Sequence, residues 1–312
     1  MPEHPQGSRV RVYVAYAIVS AVWGSTYLAI RVGVKEMPPF WMASLRFTAA
    51  GLVLGSWALF RGVPLPRKPS AWGWMVLTGI LILGVAVGGM FWAEQYIDSG
   101  LAALLAGMSP IFMALYGSIG REGDRLTPGL MMGLLIGLVG VAVLVDPSWS
   151  GDSARGMYLA VLVILLGAQA WSGGSVLAKR KLKGVSSLLS SAVHALTAGV
   201  FLFLVDLIVR GGPLPTASLQ AWLALGYLAI FGSIIAYSAY VYLVNHMAPA
   251  RAGTYSYINP VVAVFLGWLI LDEPVTWRLV AGGLIILSGL FLVRRARLVV
   301  RTSPPPGPSG TG

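Results

Sequence analysis

Trp23-Gly24-Ser25-Thr26 lies inside an apolar run extending from about residue 12 to 34, and Trp171-Ser172 lies inside a second such run 148 residues later. Working outward from this pair, Arg46 corresponds to His194, Pro110 to Pro260 and Gly140 to Gly289, with offsets between 148 and 150. One unit of about half the chain is therefore written twice. Each copy holds five apolar runs close to the roughly 20 residues needed to cross a bilayer. The first set falls at about 12–34, 39–60, 71–96, 99–119 and 128–146, the second at about 155–179, 186–209, 219–245, 250–271 and 275–294. An odd number of crossings per copy inverts the second copy relative to the first, the arrangement of alternating-access carriers.

The expected fold is all-α and integral to the membrane: ten transmembrane helices, as two inverted five-helix repeats around a central cavity. The repeats occupy residues 1–148 and 149–298, and the Pro/Gly/Ser-rich tail from 299 to 312 is expected to be disordered. Breaks between the runs carry Pro, Gly and charge, as at Glu36-Met37-Pro38-Pro39 and from Gly211 to Pro215. These connections leave no room for a soluble domain.

Composition narrows the function classes. A hydrophobic fraction of 57%, a charged fraction of 11% and a mean hydropathy of +0.78 exclude an ordinary soluble domain, whose charged share is about 25%. The net charge of +11 suggests nucleic acid at first sight, but the basic residues sit in short clusters between apolar runs, where they set topology. With the N-terminus cytoplasmic, one side receives clusters such as Lys179-Arg180-Lys181, Arg67-Lys68 and Arg294-Arg295. The other receives only Arg31, Lys35, Arg155, Arg210 and Arg278. The positive-inside rule then places both termini in the cytoplasm of a bacterial inner membrane. The first apolar run is too long for a signal peptide and reads as a retained span. Zero cysteines and three histidines leave no thiolate or His-cluster metal site, so no metal and no cofactor is expected.

Trp23-Gly24-Ser25-Thr26, Leu45-Arg46-Phe47, the prolines Pro110 and Pro260, and Leu271-Asp272-Glu273-Pro274-Val275-Thr276 together resemble the EamA family of the drug/metabolite transporter superfamily. Within it, the chain is most similar to bacterial aromatic amino-acid and metabolite exporters of the YddG type. The resemblance covers about residues 12–294 and implies a ten-helix basket whose cavity is lined mainly by spans 1, 3, 4, 6, 8 and 9. The first copy departs from the acidic junction of that family, reading Arg121-Glu122-Gly123-Asp124-Arg125.

Polar and aromatic residues at membrane depth cost free energy in lipid and persist where they face a cavity or a partner. On that ground Trp23, Thr26, Gln169, Trp171 and Ser172 are expected at the substrate site, brought together near the midplane by the repeat symmetry. Trp92 and Tyr237 add aromatic walls, with Gly88 and Gly232 as gaps where helices approach or move. Pro110 and Pro260 interrupt the helical ladder and serve as hinges, and Ser109 and Asn259 just before them are counted with the substrate site. The carbonyl each proline frees is open to substrate or satisfied by a neighbour. Tyr255 and Tyr257 lie about a turn before the second kink, and Tyr257 is counted with the site. Arg46 and His194 are mid-span cations; the resemblance implies that spans two and seven are outer helices, so both are read as structural, with carboxylate binding the other role open to Arg46.

The expected function is export of aromatic or large neutral amino acids and related metabolites by alternating access, with a small molecule and the bilayer as partners and the monomer as the unit. No deep Lys/Arg cluster suits a polyanion, and no carboxylate stands at the midplane to favour a proton relay. An intramembrane enzyme is the alternative from another class. It would need a nucleophile and base at bonding distance, yet no Gly-x-Ser-x-Gly or His-Glu-x-x-His occurs. A drug or other metabolite carrier of the same superfamily is the alternative among transporters.

Overall fold

The computed structural model describes residues 6–119, 127–146, 150, 152–246 and 255–302. The Arg121–Arg125 junction, Arg251 and the tail from 303 onward lie outside them. Among the described residues every regular element is helical and there is no strand. In chain order the helices are α1 (Gln6–Val34), α2 (Pro39–Phe60), α3 (Pro69–Ala93), α4 (Ser99–Gly117), α5 (Pro128–Leu144), α6 (Asp152–Lys181), α7 (Ser187–Val209), α8 (219–246), α9 (Tyr255–Leu271) and α10 (Trp277–Thr302). Seven of these, α1 to α4 and α6 to α8, hold apolar stretches long enough to cross a membrane; α5, α9 and the Trp277–Val293 part of α10 are shorter apolar helices.

Local sequence sets the ends. Prolines at the first turns of α2, α3 and α5 lose nothing there, because those N–H groups have no partner inside the helix. Thr127 caps α5 by accepting from Leu130 N at 3.2 Å, and Ser218 caps α8 by accepting from Ala221 N at 3.3 Å. Gly184, at φ +82°, sits in the Leu182–Val185 turn that follows the basic last turn of α6, closed by Val185 N donating to Leu182 O at 3.1 Å.

Two tight seams organise the packing. α5 and α10 meet through glycines: a Cβ on Gly133 would stand 2.7 Å from Gly289 O, one on Gly289 2.7 Å from Gly133 O, and Gly140 and Gly282 are related to each other in the same way at 2.9 Å. α2 and α7 meet similarly, with Gly51 against Leu196 N and Gly199 against Thr48 N. Without a hydrophobic drive between helices in lipid, such close backbone approach supplies the van der Waals contact that holds them. α1 packs on α8 and α9, and α6 packs on α3 and α4.

α3 and α8 each contain a π-helical stretch, Ile80–Val87 and Leu228–Ile235, separated by the same 148 residues as the tryptophans. Their i→i+5 bonding widens the helix, a departure often found at functional sites. Gly232 stands in the second stretch, and its counterpart by this offset is Gly84. Gly88 lies just beyond the first stretch, where a Cβ would run into the Leu202 side chain of α7.

The prolines differ more than the repeat suggests. α9 is unbroken through Pro260. α4 instead stops at Ala106 and restarts at Ser109, with Pro110 in the first turn of the new segment. In place of the expected matching pair of mid-helix kinks there is one continuous helix with an internal proline and one interrupted helix.

Candidate functional site

α1 carries Trp23-Gly24 into the middle of the bundle with each residue facing a different neighbour. Gly24 lies against α9, where a Cβ would stand 3.2 Å from Asn259 O. Trp23 turns to α8, and its Nε1 donates to Gly232 O at 3.0 Å. Its ring centroid is 5.3 Å from Tyr240 and 5.0 Å from Tyr255, which are themselves 5.9 Å apart. Tyr237 is 6.5 Å from Tyr240, and its hydroxyl reaches Ser191 Oγ and donates to Ser187 O at 3.1 Å. One aromatic wall thus joins α1, α8 and α9 and is tied to the start of α7.

The second copy repeats the contact with different chemistry. Ser172, fully buried, stands where Gly24 stands, and its hydroxyl is 2.7 Å from Ser109 O and 2.6 Å from Ala168 O. Gln169 Oε1 accepts from Tyr116 OH at 3.2 Å. Trp171 is half-buried on the same helix and shares in none of the ring contacts of Trp23 among the described residues. Trp92 packs on Tyr96 at 4.9 Å. The two tryptophans of the motif are therefore not joined in one stack.

Several expected residues are occupied by their surroundings. Thr26 Oγ1 donates to Trp23 O at 2.7 Å, the neighbouring Ser25 Oγ is 2.6 Å from Tyr227 OH, and Tyr257 OH donates to Leu290 O of α10 at 3.2 Å. Tyr255, two positions back and on the other side of α9, joins the aromatic wall in its place. Ser109 Oγ donates at 2.8 Å to Ala106 O, the carbonyl that Pro110 leaves without its usual donor. With its amide nitrogen turned toward two carbonyls, Asn259 donates to Ser20 O at 3.2 Å and to Tyr255 O at 3.1 Å. Ser109 thus serves the carbonyl that its proline frees, whereas Asn259 ties α9 to Ser20 of α1 and does not reach Ser256 O, the carbonyl one turn before Pro260. His194 Nε2 is 2.9 Å from Thr78 Oγ1 on α3, a packing contact. Arg46 is 7% exposed; its Nε donates to Ser233 Oγ at 3.0 Å, and its guanidinium lies 5.1 Å and 5.8 Å from the Phe47 and Phe91 ring centroids.

Charged groups gather at the end of the bundle opposite the Lys179–Lys181 cluster. Glu273 accepts from Ser99 N at 3.0 Å, Ser99 Oγ at 2.8 Å and Gly100 N at 3.3 Å. The acidic motif before α10 is thus the cap of α4. Glu36, after α1, accepts from Ser218 N at 2.7 Å and Ser218 Oγ at 2.8 Å. These bonds hold its carboxyl below the usual range. Arg31 bridges the Glu94 carbonyl and Asp98, 3.4 Å away. Burial, and then the nearby Glu273 charge, push the Asp98 carboxyl up. Glu94 itself is fully buried, and neither of its carboxylate oxygens has a hydrogen-bond partner among the described residues. A cleft of about 230 Å³ opens here, lined by Asp98, Asp146, Glu273, Arg278 and apolar neighbours including Leu101 and Val264.

Tyr240 belongs to the same aromatic run as Tyr237, and Tyr255 is the alternative to Tyr257 before Pro260, so the sequence brings both close to the site without counting either with it. Tyr240 follows Tyr237 by three positions, which places both on one helical face. Ser233 was legible only as a neighbour of Gly232, since its partner is far away in sequence.

Long apolar helices knit by glycine seams, with a polar and aromatic interior, define a polytopic helical membrane protein. The EamA-like transporter family matches residues 11–146 and 158–295, and the chain belongs to that family. It is 39% identical over 248 residues to the uncharacterized inner membrane transporter YedA of Escherichia coli K12, covering 79% of this chain and 78% of that protein. It is 24% identical over 289 residues to the uncharacterized transporter YoaV of Bacillus subtilis, covering 91% and 96%. A solved crystal structure aligns with a TM-score of 0.63 at 25% identity, covering 95% of this chain and 99% of the other.

Proposed function

We propose that this transporter is a carrier for small metabolites built as two inverted five-span repeats, with both termini on the basic, cytoplasmic face of a bacterial inner membrane. Counting α5, α9 and α10 as spans makes ten, and 17 residues is the lower end of the range that crosses hydrocarbon. The observation that carries the reading is the reciprocity of the seams. Exchanging each residue for its counterpart about 148 positions away turns the Gly51–Leu196 contact into the Gly199–Thr48 contact, and the Trp23-Gly24 approach to Asn259 into the Ser172 approach to Ser109. Contacts that map onto themselves in this way are those expected of a pseudo-twofold axis in the membrane plane. The paired π-helical stretches add a widened, weakened turn to one helix of each half.

For the substrate, we infer aromatic or large neutral amino acids and related metabolites, moved outward by alternating access. The wall of Trp23, Tyr237, Tyr240 and Tyr255 supports this, since rings offer stacking area with polar edges. Trp92, Trp171, Gln169 and Thr26 belong to the same interior, while Pro260, Pro110, Gly88 and Gly232 lie where helices bend or approach. Initial rates in liposomes test it: labelled L-phenylalanine and L-leucine should enter faster than glucose 6-phosphate. Transport of the sugar phosphate without the amino acids would refute the substrate class.

A further inference from the structure

Arg46 is read from sequence as a structural cation, and its geometry leaves most of its chemistry unused. Nε is spent on Ser233 Oγ, and the Phe47 and Phe91 rings flank the guanidinium. Among the described residues, the four N–H groups of Nη1 and Nη2 have no acceptor. These nitrogens are also not among the sealed, unpartnered atoms of the interior, which include Ser20 Oγ and the Glu94 carboxylate oxygens. A guanidinium inside a membrane span persists where it faces a partner or a wet cavity. One hydroxyl and two rings fix the direction of this fork while its outer donors stay open.

Nη2 lies beside the turn of α8 that also receives Trp23. A Cβ on Gly232 would stand 3.2 Å from Arg46 Nη2 and 3.0 Å from Thr26 Cγ2, and Gly232 O accepts from Trp23 Nε1. An open bidentate donor and an indole edge therefore converge on one π-helical glycine. His194, the counterpart of Arg46 in the other copy, spends Nε2 on Thr78 and neighbours Gly79 instead. The open donors are thus on one side of the repeat only. A single planar fork suits one carboxylate, whereas a phosphoryl dianion calls for several cations.

We propose that Arg46 is the carboxylate-binding residue of the substrate site. The ligand class is a monocarboxylate with an aromatic body: the acid group on Nη1 and Nη2, the ring toward Trp23. Gly232 is kept free of a side chain so that both can reach the same place. This rests on the carrier reading above and deepens it by assigning the carboxylate of those substrates to one residue, so that aromatic acids without an amino group are bound as well.

The test compares acids with their amides, which keep the shape and lose the charge. Isothermal titration of the purified full chain in nanodiscs with L-phenylalanine and L-phenylalaninamide, and with 3-phenylpropionate and its amide, should show the acids binding tighter by on the order of tenfold or more. Arg46→Gln should abolish that ratio and Arg46→Lys should keep part of it. Ser233→Ala, which frees Nε, should weaken the acids and leave the amides unchanged, and Gly232→Ala should do the same by crowding Nη2. His194→Gln is the control and should leave the ratio intact. An equal affinity for acid and amide in the unmodified chain, no binding of either acid, or a ratio that survives Arg46→Gln overturns the proposal. The unmodified chain and Arg46→Lys decide the matter even where Arg46→Gln does not fold. Acid-selective binding without flux in liposomes would keep the site and sink the carrier reading. Flux indifferent to the carboxylate would do the reverse.

Discussion

Glu273 and Gly267 form a double-mutant cycle whose result follows from one contact. The Glu273 carboxylate is 8% exposed and accepts three hydrogen bonds from the start of α4. A bond to a charged group contributes about 1.5 to 3 kcal/mol, and such bonds to one carboxylate do not add fully. Glu273→Ala leaves the Ser99 and Gly100 N–H groups without that acceptor, so about 2 to 5 kcal/mol of stability is at stake. Glu273→Gln retains one acceptor oxygen but turns an amide N–H toward donors, costing about 2 kcal/mol. Gly267 lies directly beneath the carboxylate, and a Cβ there would overlap Glu273 Oε2. Gly267→Ala should therefore evict the cap without touching it chemically, at a cost close to that of Glu273→Ala. In the double variant the second change should cost little, a coupling of at least about 2 kcal/mol. Unfolding midpoints of the four proteins in one detergent, scanned at one rate, measure this. Gly267→Ala at wild-type stability, or costs that simply add, would refute the assignment of Glu273 as the cap of α4.

Three further outcomes are expected. Gly140→Leu should destabilise the protein by more than about 3 kcal/mol in the same assay, because the would-be Cβ meets Gly282 O at 2.9 Å and backbone cannot step aside as a side chain can. The Asp98 carboxyl is raised by burial and then by Glu273, so the folded state holds its proton more tightly than the unfolded chain does. Its contribution is fully present below the ordinary carboxylate range and is lost as pH rises toward the raised value. Asp98→Asn should flatten that fall in a series of melting scans across pH. Finally, Pro260→Ala should slow flux more than it weakens binding, because it restores a missing bond within a continuous helix. Pro110→Ala should change both little, because α4 is already interrupted and Ser109 serves the freed carbonyl.

Much of the architecture is legible in sequence because lipid forces it to be. A span must be apolar for its full length, so the long helices from α1 to α4 and α6 to α8 stand close to where hydropathy puts them. Trp23 could be identified as an interior residue for the same reason. Partners were harder, since they depend on helix rotation, which hydropathy does not encode when a helix is apolar all round. Tyr255 and Tyr257 are two positions apart and thus on opposite sides of α9, and only the packing of α1 decides which faces Trp23. Glu273 was visible as an acidic motif, but its role as a cap lies 174 residues away at Ser99. The difference between Pro110 and Pro260 also escapes the repeat pattern. Gly107 and Met108 break α4, whereas α9 runs on through its proline.

Counterflow tests the central claim most directly. Liposomes holding the purified chain are loaded with unlabelled L-phenylalanine or with buffer, and entry of a trace of labelled L-phenylalanine is followed. A carrier that exposes one site to each side in turn predicts faster entry and transient accumulation in the loaded vesicles, because outward traffic returns empty sites to the outer face. Entry at the same rate in both vesicle populations, without accumulation, would contradict alternating access.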